Sequence, residues 1–161
     1  MIAVRTVNSE RLLFLIRVVR REVNHLNATA TRLFAQPLTL AQINSLAQNE
    51  ELAERIEAFV GRFGRLQDTL GDKLLPNVLH FLGEKTNSLL DNLDKAERFG
   101  WLESSDVWMS IRALRNYMVH EYIEDPMVLL DALNQAYSHI PHLLKLADAL
   151  ITQIESRFGV K

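Results

Sequence analysis

The 161-residue chain contains no cysteine, which excludes a disulfide framework, a thiolate zinc site and a cysteine nucleophile, and fits a reducing cytoplasm. Glycine and proline are scarce, at six and four residues, while 48% of residues are apolar and 24% charged. That composition excludes collagen-like, low-complexity and disordered classes. Long hydrophobic runs are missing as well. The most apolar one, Leu12 to Ile16, is clamped by Arg11 and Arg17, and Met1 to Glu10 has no apolar leader core, so neither secretion nor a membrane span is expected. Nor is there an excess of one charge sign. A formal net charge of −2 argues against coating nucleic acid by bulk electrostatics, so any such role is local. The balance is uneven along the chain: nine basic against six acidic residues through Arg65, then nine against fourteen. Arginine outnumbers lysine 13 to 5, and its planar fork suits bidentate phosphate contacts and surface ion pairs alike.

What is present is helical periodicity throughout, with no sustained alternation of apolar and polar residues. The expected class is all-α, a single domain over 1–161 built as an antiparallel up-and-down bundle of four to five main helices. Ser9 is expected to cap a first helix carrying Leu12, Leu13, Ile16, Val19, Val23 and Leu26 and ending before Pro37. Thr39 and Gln42 form a capping-box pair for a short helix. Asn49, with Glu50 and Glu51 behind it, opens a long helix with the stripe Leu52, Ile56, Phe59, Phe63, Leu66, Leu70 and Leu74, which Pro76 should kink on the way to about Leu82. Further helices are expected from about Asn87 to a left-handed cap at Gly100, from Ser104 or Ser105 to about Tyr122, and from Asp125-Pro126 to about Ser156 with a bend at Pro141.

The informative stretch is Arg115-Asn116-Tyr117-Met118-Val119-His120-Glu121-Tyr122. At 100° per residue Arg115 falls inside the apolar arc of its helix, beside Ile111, Leu114 and Met118. A guanidinium there needs a carboxylate, a phosphate or a wet cleft. Asn116 and His120 flank the arc about 40° apart on a common side, and His120 lies where the helix dipole favours imidazolium.

This stretch resembles the motif of the HEPN family, and within it the HepT-like proteins: arginine, four residues, histidine, one residue, tyrosine. Arg115, His120 and Tyr122 match its three positions, and Asn116 matches the polar residue that commonly follows the arginine. The context agrees, with Gly61-Arg62-Phe63-Gly64-Arg65-Leu66-Gln67-Asp68 running through Pro76, then a shorter helix, then the motif helix. The resemblance implies a metal-independent endoribonuclease toxin needing no cofactor, acting as a homodimer with the motif residues at the cleft between subunits. It also implies a minimal nucleotidyltransferase partner that neutralises the toxin by adenylylating the motif tyrosine, here Tyr122. Cleavage of RNA by its own 2′-hydroxyl needs a proton acceptor, a proton donor and positive charge on the phosphate; His120 suits either proton role and Arg115 the charge, with Asn116 orienting the scissile phosphate or His120. The alternative is a non-catalytic helical module that binds nucleotide or substrate beside such a nucleotidyltransferase.

Gly61, Gly64 and Gly71 lie opposite the long helix's stripe, beside Asp68 and Asp72. That placement points away from the chain's own core, and Gly61, Gly64 and Asp68 are candidates for a face approached by a second chain or a substrate, where Asp68 or Asp72 pairs an arginine. No metal site is expected: His139 and His142 with Asp148 lack a convergent third ligand, and Pro141 should disrupt the helix between them. His25 and His80 read as packing or edge residues, Trp101 and Trp108 as core.

Overall fold

Thr39 closes both halves of its capping box, accepting from the Gln42 backbone N–H while the Gln42 side chain accepts from the Thr39 N–H. The other boundary signals act as locally. Asn49 Oδ1 accepts from Leu52 N–H at 3.2 Å, Ser88 accepts from Asp91 N–H, and Asp125 accepts from Met127 N–H with Pro126 in the first turn. Gly100 takes a φ of 78° just after a helix end, the left-handed conformation that glycine adopts without steric cost.

The resulting chain is a computed structural model that describes residues 7–120 and 123–159, with side chains over 9–119 and 123–159. Among these residues there are helices and no strands. They are α1 (Val7–Leu33), α2 (Leu40–Asn44), α3 (Glu50–Asp68), α4 (Leu75–Phe81), α5 (Leu89–Arg98), α6 (Ser105–His120) and α7 (Pro126–Phe158). Ser9 is not a cap. It lies inside α1 and is buried, because it sits one turn before Leu12 on the stripe that continues through Ile16 and Val19. α5 likewise begins at Leu89 behind Ser88 rather than at Asn87.

Pro76 acts upstream of itself. Between α3 and α4 the backbone forms a π-helical turn, Thr69–Leu74. Proline has no N–H and its ring crowds the carbonyl four residues back, so widening the preceding turn relieves the clash without ending the helix. Asn77 Nδ2 donates to the Lys73 carbonyl at 2.6 Å, supplying one of the acceptors disturbed there. α7 also runs unbroken through Pro141, so the expected disruption between His139 and His142 does not occur.

One hydrophobic core joins all the long helices. From α3 and the π turn it takes Phe59, Phe63, Leu66, Leu70 and Leu74, all fully buried. α1 contributes Leu12, Leu15, Ile16, Val19 and Leu26, and α7 contributes Leu133, Ala136, Leu143, Leu146 and Leu150. No helix among the described residues is long and apolar enough to cross a membrane.

Candidate functional site

α3 and its π turn have a second packed side, and α6 lies against it. The contacts run in opposite directions along the two elements: Gly64 and Asp68 meet Arg115, Gly71 meets Trp108, and Asp72 meets Arg112. The pair is therefore antiparallel. Carboxylates four residues apart on one side face guanidiniums three apart on the other, which places two Asp–Arg rungs across one seam.

Arg115 is the better-enclosed rung. Its Nη2 donates to Asp68 Oδ2 at 2.6 Å and its Nη1 to Asn116 Oδ1 at 2.9 Å. The side chain is 20% exposed and that of Asp68 35%. The carboxylate demanded by an arginine in an apolar arc is thus Asp68, and the guanidinium is held at the rim of the seam rather than in the core. Arg112 and Asp72 form the outer rung at 3.2 Å.

Glycine makes this approach possible. A Cβ on Gly64 would lie 3.2 Å from Arg115 Cγ and 3.4 Å from its Nε, and one on Gly71 would lie 3.1 Å from Trp108 Nε1. Gly64 and Gly71 are buried against α6, which corrects the expectation that they face away from the chain's own core. The stripe marks only one of two packed sides, so residues opposite it meet a neighbouring helix of the same chain. Gly61 is different: it is half-buried and a Cβ there would meet only Arg65 Nη2, at 4.0 Å. The structure therefore gathers Arg115, Asn116, Gly64 and Asp68, and leaves Gly61 at the margin. The side chain of His120 and the whole of Tyr122 lie outside the described residues; the His120 backbone forms the last position of α6.

Several neighbours went unread in the sequence. Gln67 is fully buried one residue before Asp68, with no hydrogen-bond partner for Oε1 or Nε2 among the described residues. Glu22 of α1 is half-buried with its Oε1 enclosed and without a donor among them. Burial pushes the Glu22 carboxyl above the usual range and nearby Asp68 adds to this, while the Thr69 side chain, Arg65 and Lys73 pull it back. Arg62 and Arg65 share a shallow depression with Glu22 and His25. The available signal was the pairing of Asp68 and Asp72 with Arg112 and Arg115, whose i,i+4 and i,i+3 spacings match across two helices. His25 and His80 are exposed, since each falls on the outward side of its helix.

Away from the seam, His139 and His142 have ring centroids 5.6 Å apart and His142 Nδ1 lies 3.4 Å from Glu103. Among the described residues no three histidine, aspartate or glutamate side chains gather as a metal site. No family model matches the chain, and neither a curated protein nor a solved structure matches it.

Proposed function

We propose that the chain is a HEPN-type, HepT-like endoribonuclease toxin that works without a metal, neutralised by a minimal nucleotidyltransferase through adenylylation of Tyr122. The observation that supports it best is the setting of Arg115. The motif arginine is fixed by Asp68 and Asn116 at a rim that solvent reaches, where a guanidinium meets a phosphate with little reorganisation. In the reaction the ribose 2′-hydroxyl attacks the adjacent phosphorus and the bond to the 5′-oxygen breaks, leaving a 2′,3′-cyclic phosphate and a 5′-hydroxyl. One imidazole takes the 2′ proton and a second protonates the leaving oxygen. Each chain offers one motif histidine, so the reading requires two protomers, each an up-and-down bundle. Met109, Ala113, Asn116 and Tyr117 share the outward face of α6. Met109 and Tyr117 are exposed there, as are Met127 and Val128 at the start of α7. Apolar exposure beside the motif suits a homodimer contact.

The second reading, a non-catalytic binding module, draws on the same Asp68 contact, because a carboxylate at 2.6 Å offsets the charge that a pentacovalent phosphate would use. Activity separates the two. Purified protein is expected to cleave RNA in EDTA and to leave cyclic phosphate ends, with His120→Ala and Arg115→Ala each slower by about 100-fold or more. Binding of RNA without cleavage would favour the module, and undiminished cleavage by His120→Ala would remove the nuclease mechanism. Light scattering should give a dimer. Co-expression with the nucleotidyltransferase should add adenylate mass that Tyr122→Phe abolishes; addition at Tyr117 or Tyr137 instead would overturn the switch.

A further inference from the structure

The small depression between α1 and α3, one helical turn from the Asp68–Arg115 rung, gathers two guanidiniums, Arg62 and Arg65, against one half-buried carboxyl, Glu22. The arginines of α3 and α6 divide into two kinds. Arg55, Arg112 and Arg115 each pair with a carboxylate, on Glu51, Asp72 and Asp68. Arg62 and Arg65 do not: among the described residues no carboxylate oxygen lies within 4.0 Å of either guanidinium. Arg62 is nevertheless anchored, since its Nη1 donates to the His25 carbonyl at 3.2 Å and to the hydroxyl of buried Thr29. Both acceptors are neutral, so they fix the side chain's position and leave its charge intact. Arg65 is exposed, and its Nη2 lies over Gly61 where no side chain intervenes. An arginine held by neutral partners has already lost part of the conformational freedom that phosphate binding would otherwise cost.

We propose that Arg62 and Arg65 form a phosphate-binding extension of the candidate site, holding the RNA strand on the α1 side of a scissile phosphate at Arg115. The inference rests on the nuclease reading and adds to it a path for the substrate. Arg62 and Arg65 precede Asp68 by six and three residues, about 5 to 9 Å along the helix axis. That is the span of about two stacked nucleotides at ~3.4 Å each. Gly61 leaves the surface of α3 low beside Arg65, while Gly64 lies beneath the stem of Arg115. Glu22 lines the same depression and opposes an incoming phosphate, so its charge limits affinity.

The test is equilibrium binding of a fluorescent 12-nucleotide 2′-O-methyl RNA, which cannot be cleaved, to the full chain at 50 to 200 mM KCl. Arg65→Gln should weaken binding about three- to ten-fold at 100 mM and lower the slope of log affinity against log salt by about 0.7, the contribution of one phosphate contact on a single strand. Arg62→Gln should do the same, and Glu22→Gln should tighten binding. Arg55→Gln, whose charge is paired with Glu51, should change neither quantity. If Arg65→Gln behaves like Arg55→Gln while Arg115→Gln weakens binding, the extension is wrong and the nuclease reading stands. If the wild-type chain binds no RNA, or Arg115→Gln has no effect, the nuclease reading itself fails and takes the extension with it. Thermal unfolding followed by circular dichroism checks each variant; should Arg62→Gln unfold, Arg65→Gln decides, since its side chain makes no hydrogen bond or ion pair among the described residues.

Discussion

On one side of α3 and its π turn, Phe59, Phe63, Leu66, Leu70 and Leu74 are wholly enclosed by apolar neighbours; on the other, Gly64, Asp68, Gly71 and Asp72 meet Trp108, Arg112 and Arg115. The first side is held by area removed from water, which has no preferred direction and tolerates any arrangement of similar volume. The second is held by close backbone approach and by ion pairs that fix individual atoms. Stability therefore resides mainly on the apolar side and the orientation of Arg115 on the polar one, and substitutions should separate the two.

The largest effect belongs to the apolar side. Phe63→Ala removes a fully buried ring and should cost about 3–5 kcal/mol, read as a lower urea midpoint at unchanged slope. A loss below about 1 kcal/mol would mean that the core collapses around the gap, and the contrast between the two sides would not hold.

The seam's glycines sharpen the contrast, because alanine at either should gain about 1 kcal/mol in helix propensity and lose something different. At Gly71 the new methyl meets the indole of Trp108, a fully buried ring with nowhere to move. Overpacking of about 1–3 kcal/mol outweighs the gain, so Gly71→Ala should be less stable by about 1 kcal/mol. At Gly64 it meets the stem of Arg115, a side chain at the rim. Gly64→Ala should stay within about 0.5 kcal/mol of wild type and, on the proposed nuclease reading, cut RNA cleavage by about ten-fold or more, because the guanidinium is displaced from Asp68. Equal losses of stability at both positions would show that the seam is only packing.

The apolar side was readable from sequence because its residues recur with the helix period. The caps at Thr39, Asn49, Asp125 and Gly100 were readable because each signal and its target lie within a few residues. The seam was not. Asp68 and Arg115 are 47 positions apart, and periodicity reports which face of a helix is apolar, not which second face a neighbour covers. Gly64 and Gly71 were therefore correctly recognised as sites of close approach and assigned to the wrong partner. Ser9 failed for a related reason: a serine next to an apolar stripe marks a helix start or a buried position within the helix, and only packing chooses between them. Of the candidate site, Arg115's need for a counter-charge was legible. The identity of that counter-charge, and the placement of Arg62 and Arg65 beside Glu22, depended on tertiary structure.

The smallest effect lies where the two sides meet α1, at Glu22. Its half-buried carboxyl faces Thr69, Arg65, Lys73 and Asp68 along α3 and the π turn, and lines a depression with His25 and Arg62. Burial, the dominant influence, raises its pKa above the ordinary 4.5 despite the two nearby cations. The folded chain therefore holds this proton more tightly than the unfolded chain does. Between the two pKa values folding binds protons, so Glu22's contribution to stability falls as pH rises from about 4.5 through the folded value, and is constant above it. Glu22→Gln lacks that dependence. Urea unfolding at pH 4, 5.5 and 7 should show the variant gaining on wild type as pH rises, with the gap levelling off. A gap that stays flat across the interval would place Glu22 in an ordinary solvated setting, and one that narrows with pH would mean that Arg65 and Lys73 outweigh burial. The second outcome would strengthen the expectation that Glu22→Gln tightens RNA binding, since a carboxylate stabilised by both cations screens them from the phosphate until it is removed.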